Sequence, residues 1–309
     1  LPVQKGKKMD LKNSLKLFLS SVAVICLLVL PVSAEHIKRN GISTEHKHSI
    51  LKGLYGDRNE EKSASICEGF GPQAPRDIDS KSGENRESIY RAPASEAMNL
   101  CNIHLHKNAE HRASAFSIDA GDGDGHGYFS GYKCNVGTKL TKSETSPTDQ
   151  EICPSKHGNL VAGDTIEVHW VFSSCNIMPG PTLNSCFSER CLNPQLRVET
   201  QVFVLVNDKR TLNFKDFIYD GNMANGLHQP KELPTGTGTP IEYIGSTTGP
   251  GYNTKICSPY QVTWNVRPNC AKVHINSIGK FCRGNIFKEF HAHGVRKLVG
   301  DPKLLSPIR

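Results

Sequence analysis

Cys101-Asn102-Ile103-His104-Leu105-His106-Lys107-Asn108-Ala109-Glu110-His111 and Thr165-Ile166-Glu167-Val168-His169-Trp170 are the two stretches on which the reading of this chain turns. The first sets His-x-His among apolar residues, and the second is a strand-like run carrying Glu-x-His. Side chains alternate faces along a strand, so His104 and His106 share one face, roughly 6.5–7 Å apart along the chain. A single histidine on an apolar strand is commonly a satisfied core residue. Two on one face, followed by Glu110 and His111, are harder to satisfy, because each buried imidazole needs a partner for both nitrogens. One more histidine from another strand completes a His₃ set, and His169 is the candidate. Such a set holds Zn²⁺ with its fourth tetrahedral position open, as in catalytic zinc sites. Glu167 points to the same side as His169 and can accept a ring N–H from a ligand histidine, fixing its tautomer. The plainer alternative for Glu167 is a solvent-facing place on an edge strand.

Outward from these stretches, strand-like runs recur at Met98–His106, Thr165–Phe172, Leu196–Val206, Gln261–Val266 and Lys272–Ile278, each rich in Val, Ile, Thr or aromatic residues and bounded by turn residues. Asn285–Lys297 reads as partly helical. Long helical periods are otherwise absent, and Gly and Pro are frequent, at 27 and 18 residues. The class is therefore mainly β, with long loops and few short helices. No internal repeat and no linker divides residues 66–309, which read as one domain. Gly121–Ser155 and Ser173–Asn193 look like surface insertions. In the second, Cys175, Cys186 and Cys191 surround Pro179-Gly180-Pro181 and suggest a disulfide-stapled loop.

The chain has 309 residues, enough for a sizeable core, and a formal net charge of +7. Five lysines lie in the first 34 residues; beyond them 32 basic residues face 29 acidic ones, with no long basic block. Nothing here indicates a nucleic-acid partner. Lys5 to Lys16, the apolar run Leu17–Leu30 and Val32-Ser33-Ala34 have the three parts of an export signal, residues 1–34, cleaved before Glu35, with Met9 a candidate true start. The apolar run is shorter than the ~20 residues that span a bilayer, so no stable membrane span is expected after cleavage. Residues 35–65 are polar and charged and read as a flexible leader. Of 11 cysteines one, Cys26, lies in the signal, and the ten that remain suit an oxidising compartment. No C-x-x-C pair supports a thiolate zinc site. Asp122-Gly123-Asp124-Gly125-His126 hints at a calcium loop, but Lys133 stands where an EF-hand needs a bidentate Glu.

Two metal architectures compete. His104, His106 and Glu110 match the His-x-His-x-x-x-Glu of cupins, whose glycines are replaced here by Met98 and Ser117. The other match is broader. His104-Leu105-His106, Ala109-Glu110-His111, Glu167-Val168-His169-Trp170, Gly245-Ser246-Thr247-Thr248-Gly249-Pro250 and Val262-Thr263-Trp264 follow the order of alpha-class carbonic anhydrase motifs, with one residue missing from the Thr-Thr loop. Gly71-Pro72-Gln73-Ala74-Pro75-Arg76-Asp77-Ile78 resembles that family's Gln-Ser-Pro-x-Asp-Ile opening. The wording Cys-Asn-Ile-His-x-His-Lys-Asn-Ala-Glu-His and the tail Phe290–Arg296 are more similar still to the delta class.

The resemblance, over roughly residues 66–300, implies a central twisted, largely antiparallel sheet of the alpha-carbonic-anhydrase type. It implies a lyase that hydrates CO₂ to bicarbonate with Zn²⁺ on His104, His106 and His169, which the export signal and cysteine supply make an exported one. It assigns Thr247 the hydroxyl that orients the attacking oxygen, Glu110 the acceptor behind it, and Thr248 help in placing substrate. It also implies a disulfide between Cys67 and Cys257. His111, His126, His157 and His228 are open candidates for the proton shuttle. The rival readings are an inactive carbonic-anhydrase-like adhesion domain and a cupin-type Fe/Mn dioxygenase.

Overall fold

Runs in which β-branched and aromatic residues alternate with polar ones become the strands of this chain. The computed structural model describes residues 67–87 and 89–309. The expected signal, 1–34, and leader, 35–65, lie outside the described residues. The strands are β1 (Asn99–Lys107), β2 (Ile118–Asp119), β3 (Tyr132–Lys133), β4 (Thr165–Ser173), β5 (Leu196–Val206), β6 (Met223–Ala224), β7 (Leu227–His228), β8 (Ile241–Ser246), β9 (Gln261–Val266) and β10 (Ala271–His274). Helix α1 (Ile275–Arg283) follows β10.

The class is mainly β. The central sheet runs β1-β4-β5-β9-β8, with β10 added to β5. The β1–β4, β4–β5 and β8–β9 pairings are antiparallel, and β5–β9 and β10–β5 are parallel, so the sheet is mixed. The parallel pairs share one strand: β9 pairs with Arg197–Thr200 and β10 with Phe203–Val206 of β5. One strand path, interrupted between them at Arg267-Pro268-Asn269-Cys270, thus follows the length of β5. Proline has no N–H for a ladder, which suits it to the interruption.

A bulge in β1 sets the faces. Leu100 pairs with Phe172 and Asn102 with Val171, leaving Cys101 as the extra residue. Met98 and Leu100 before the bulge, and Ile103 and Leu105 after it, therefore all join the same apolar core, with Val168, Trp170, Phe172, Phe203 and Leu205. Phe214 and, from α1, Ile275, Ile278 and Phe281 cover this face. The opposite face carries the polar residues of the two opening stretches. Across it His104 stands opposite His169, and His106 opposite Glu167.

Two segments differ from their sequence-based expectation. Lys272–Ile278 is strand only to His274. Ile275, Ile278, Phe281 and Cys282 are buried at helical spacing, so the chain turns into α1. Asn285–Lys297 holds no helix. It uses its backbone to cover the edge of β1: His293 N–H donates to Leu105 O (2.8 Å), and Lys107 N–H to His293 O (2.8 Å). Gly294 is required there, since a Cβ would fall 1.6 Å from the Gly127 carbonyl oxygen.

Five disulfides join Cys67 to Cys257, Cys101 to Cys186, Cys134 to Cys270, Cys153 to Cys282 and Cys175 to Cys191. Cys175–Cys191 closes the loop between β4 and β5, and Cys101–Cys186 anchors that loop to the β1 bulge. Five such bridges belong to an oxidising environment. Among the described residues no helix is long and apolar enough to cross a membrane.

Candidate metal centre

The β1–β4 register brings one nitrogen each from His104, His106 and His169 within 4.8 Å of one another. Their protonation can be read from the partners of the other ring nitrogens. Asn102 Nδ2 donates to Gly180 O (3.0 Å), which turns Asn102 Oδ1 toward His104 Nδ1 at 2.7 Å. An amide oxygen only accepts, so His104 Nδ1 carries the hydrogen and Nε2 the lone pair. His106 Nδ1 donates to the Gly294 carbonyl (3.2 Å), leaving its Nε2 bare. His169 Nε2 donates to Glu167 Oε1 (2.6 Å), leaving Nδ1 bare.

Three lone pairs thus converge. His169 Nδ1 faces His104 Nε2 across 3.1 Å with no hydrogen between them, and His106 Nε2 is buried without any partner. Buried polar atoms are rarely left so. A cation accepted by all three satisfies them at once, and three neutral imidazoles are donors that Zn²⁺ takes. The residues present therefore fit a metal ion. Burial keeps His104 well below the usual histidine range, aided by the neighbouring His169, His106 and His293. Burial likewise lowers His106, to about 4, against the pull of Glu110.

Glu167 is fully enclosed, and both its oxygens are used. Oε1 accepts from His169 and from His111 Nδ1 (2.7 Å), and Oε2 accepts the His111 N–H (3.0 Å). Tyr243 O–H in turn donates to His111 Nε2 (2.7 Å). Burial favours the neutral acid here, but His111 and His169 outweigh it and hold the carboxyl well below the usual range. His111, Glu167 and His169 also lie close enough to suggest a cation site. Their hydrogen bonds already satisfy one another, so they act as support for His169.

Glu110 does not join the convergence. It lies behind the rings, 3.6 Å from His106 Nδ1 and 4.0 Å from His169 Nε2, on the sides that carry hydrogens. Burial raises its pKa, yet His106, Arg76 and His169 bring it down to about 2. A buried, ionised carboxylate is an acceptor only. The hydroxyl that reaches it is Thr248's, at 3.2 Å to Oε1. This corrects the expected assignment, in which Thr247 contacts Glu110: Thr247 Oγ1 instead lies 3.3 Å from the Thr248 carbonyl. The cause is the register of the short loop. Ser246 is pinned, its O accepting from Trp264 Nε1 (3.1 Å) and its Oγ from Ala74 N–H (3.1 Å). Counting from that anchor, the second threonine turns toward Glu110.

These groups open into a cavity of about 570 Å³. Val171, Val198, Val262 and Trp264 form one wall, and Thr247 and Thr248 lie in the lining. Of the four histidines considered for a shuttle, none lines it: His111 is enclosed, His126 is exposed on the glycine-rich loop, His157 stacks on Tyr128 at 3.5 Å, and His228 Nδ1 is bonded to Tyr219 O–H (2.8 Å). His293 does line it, half-exposed and 3.0 Å from Glu289 Oε2, a hydrogen bond that raises its pKa. The His-x-His of the tail, His291 and His293, was the signal that could have found it.

A family model described as Delta carbonic anhydrase matches residues 95–277, more than half of the chain. The chain belongs to the delta carbonic anhydrase family. The matched span holds the His triad, Glu110, Glu167 and both threonines of this family member. No curated protein matches the sequence. Solved structures similar to it include the Photobacterium profundum alpha-carbonic anhydrase, 16% identical over 80% of this chain and 94% of that one, with a TM-score of 0.26. Another is the Thermovibrio ammonificans alpha-carbonic anhydrase in complex with sulfanilamide (15%, 74% and 84%, 0.24). A third is a hyperthermostable carbonic anhydrase from a hydrothermal vent chimney (17%, 82% and 94%, 0.26). At these scores they carry no argument about the site of this delta-family chain.

Proposed function

We propose that this delta carbonic anhydrase family member is an exported zinc enzyme that interconverts CO₂ and bicarbonate. The observation that carries the reading is the convergence of three bare ring nitrogens, two of them 3.1 Å apart, at the base of a part-apolar cavity. Zinc held by His104, His106 and His169 supplies a water acidic enough to ionise near neutrality. The chain's own groups do the rest. Thr248 gives its hydrogen to Glu110, so only its lone pairs are left for the attacking oxygen. That oxygen must then donate its hydrogen to Thr248 and turn a lone pair toward the substrate carbon. The wall of Val171, Val198, Val262 and Trp264 suits an uncharged, apolar substrate. His293 is the histidine placed to pass the released proton toward solvent, with Glu289 steadying its ring. Export is supported by the five disulfides and by the signal-like start of the sequence.

Stopped-flow CO₂ hydration with metal analysis on the purified chain tests this. Stoichiometric zinc with rapid hydration is expected. Zinc without hydration would favour a binding domain, and stoichiometric iron or manganese an oxygenase.

A further inference from the structure

Arg76 lies on the segment Gly71–Ile78, which is tied to both partners of the Thr248–Glu110 pair. Ala74 N–H donates to Ser246 Oγ (3.1 Å), and Gln73 both donates to Ser258 O (2.9 Å) and accepts from Ser258 N–H (3.0 Å). These bonds hold the two flanks of the threonine loop. Arg112 N–H donates to Arg76 O (2.6 Å), fixing the segment to the chain just after Glu110.

The Arg76 side chain is 17% exposed, and its Nη1 lies 3.4 Å from Glu110 Oε2. Nε and Nη2 are buried without an acceptor. A buried cation so incompletely bonded is poor value as a stabilising device, because an apolar side chain of similar volume does as well. Its effect falls instead on Glu110. That carboxylate can rotate about its last bond and offer either oxygen. With Oε2 occupied by Arg76, Oε1 is left facing Thr248 Oγ1.

We propose that Arg76 is a positioning residue for CO₂ hydration, acting through its ion pair with Glu110 to aim that carboxylate at Thr248. The proposal rests on the carbonic anhydrase reading above. It is tested by a double-mutant cycle of Arg76→Met with Glu110→Gln, reading kcat/KM for hydration and zinc content together. Arg76→Met should lower kcat/KM about tenfold, as for a charge-assisted hydrogen bond lost in a dry site, with zinc unchanged. In the Glu110→Gln background the same change should have no further effect, and Arg76→Lys should recover most of the rate. An equal fold-loss in both backgrounds, loss of zinc, or an undiminished rate overturns the proposal. Should Arg76→Met not fold, Arg76→Lys is compared with Arg76→Gln; equal rates then overturn it. A wild-type chain that holds zinc but does not hydrate CO₂ would defeat the enzymatic reading instead, so the two failures are distinguishable.

Discussion

The two faces of the β1–β4 pair are both largely buried and chemically opposite. On one, Ile103, Leu105, Val168 and Trp170 are fully enclosed by other apolar side chains and by α1. On the other, His106, Glu167 and His169 are nearly as deeply buried, with His104 and Glu110 beside them. The apolar face is complete as it stands, since dispersion and the hydrophobic effect need no directed partner. The polar face instead holds three ring nitrogens that point at one another, and leaves Thr200 Oγ1 and Arg76 Nε and Nη2 without partners as well. Burial is thus not what separates core from site. The separating feature is whether every buried group has found its partner within the chain.

Substitutions on the two faces should break this symmetry in different measurements. His169→Ala removes one of three donors, and is expected to abolish hydration together with metal binding while the purified protein stays folded by circular dichroism. Retained full activity in that variant would refute the ligand assignment. Trp170→Ala, its neighbour on the other face, should cost roughly 3–5 kcal/mol of stability in denaturant unfolding. Its activity per folded molecule should remain near wild type. If both variants lose metal and stability alike, the faces are not functionally distinct.

The next largest effect separates the two threonines. Thr248→Ala should keep zinc and slow hydration roughly 10²-fold, the scale of losing one oriented hydrogen-bonding group at the reacting atoms. Thr247→Ala should cost less than a tenth of that. The reverse order would return the orienting role to Thr247.

The smallest effect is one of pH on the metal-free protein. The unfolded chain protonates His106 near 6.5, whereas the folded chain does so only near 4. Between these values the unfolded state binds more protons, so stability falls as pH falls. A melting temperature that drops from pH 6.5 to pH 4 without metal, and drops less with zinc bound, is expected. Damage at Trp170 should carry no such pH dependence, because the indole and the Ile103, Leu105 and Val168 side chains beside it carry no ionisable group.

Much of this was legible in the residues. Strand alternation put His104 and His106 on one face and Glu167 on the side of His169, with His169 a candidate third ligand; the pairing of β1 with β4 brought the three histidines together. β5 and β9 have the bounds their composition indicates, because their apolar patterns are local. What was not legible depended on neighbours. The helix from Ile275 begins inside a β-branched run, and its burial against Phe214 decides the matter. The backbone of Asn285–Lys297 pairs with a strand edge nearly two hundred residues earlier in the chain, which no local period reports. Thr247 and Thr248 are chemically equal, and a shortened loop offers two registers; only the pinning of Ser246 selects one.

By itself, then, the sequence determined the residue types and the period-two spacing that make a three-histidine face, together with the cysteine supply for an oxidising compartment. The tertiary structure alone decided which ring nitrogen of each histidine is bare, which threonine meets Glu110, and which histidine lines the cavity. The reason is physical. Alternation along a strand is a property of the local backbone, whereas tautomers, hydroxyl directions and cavity walls are set by partners brought from far along the chain.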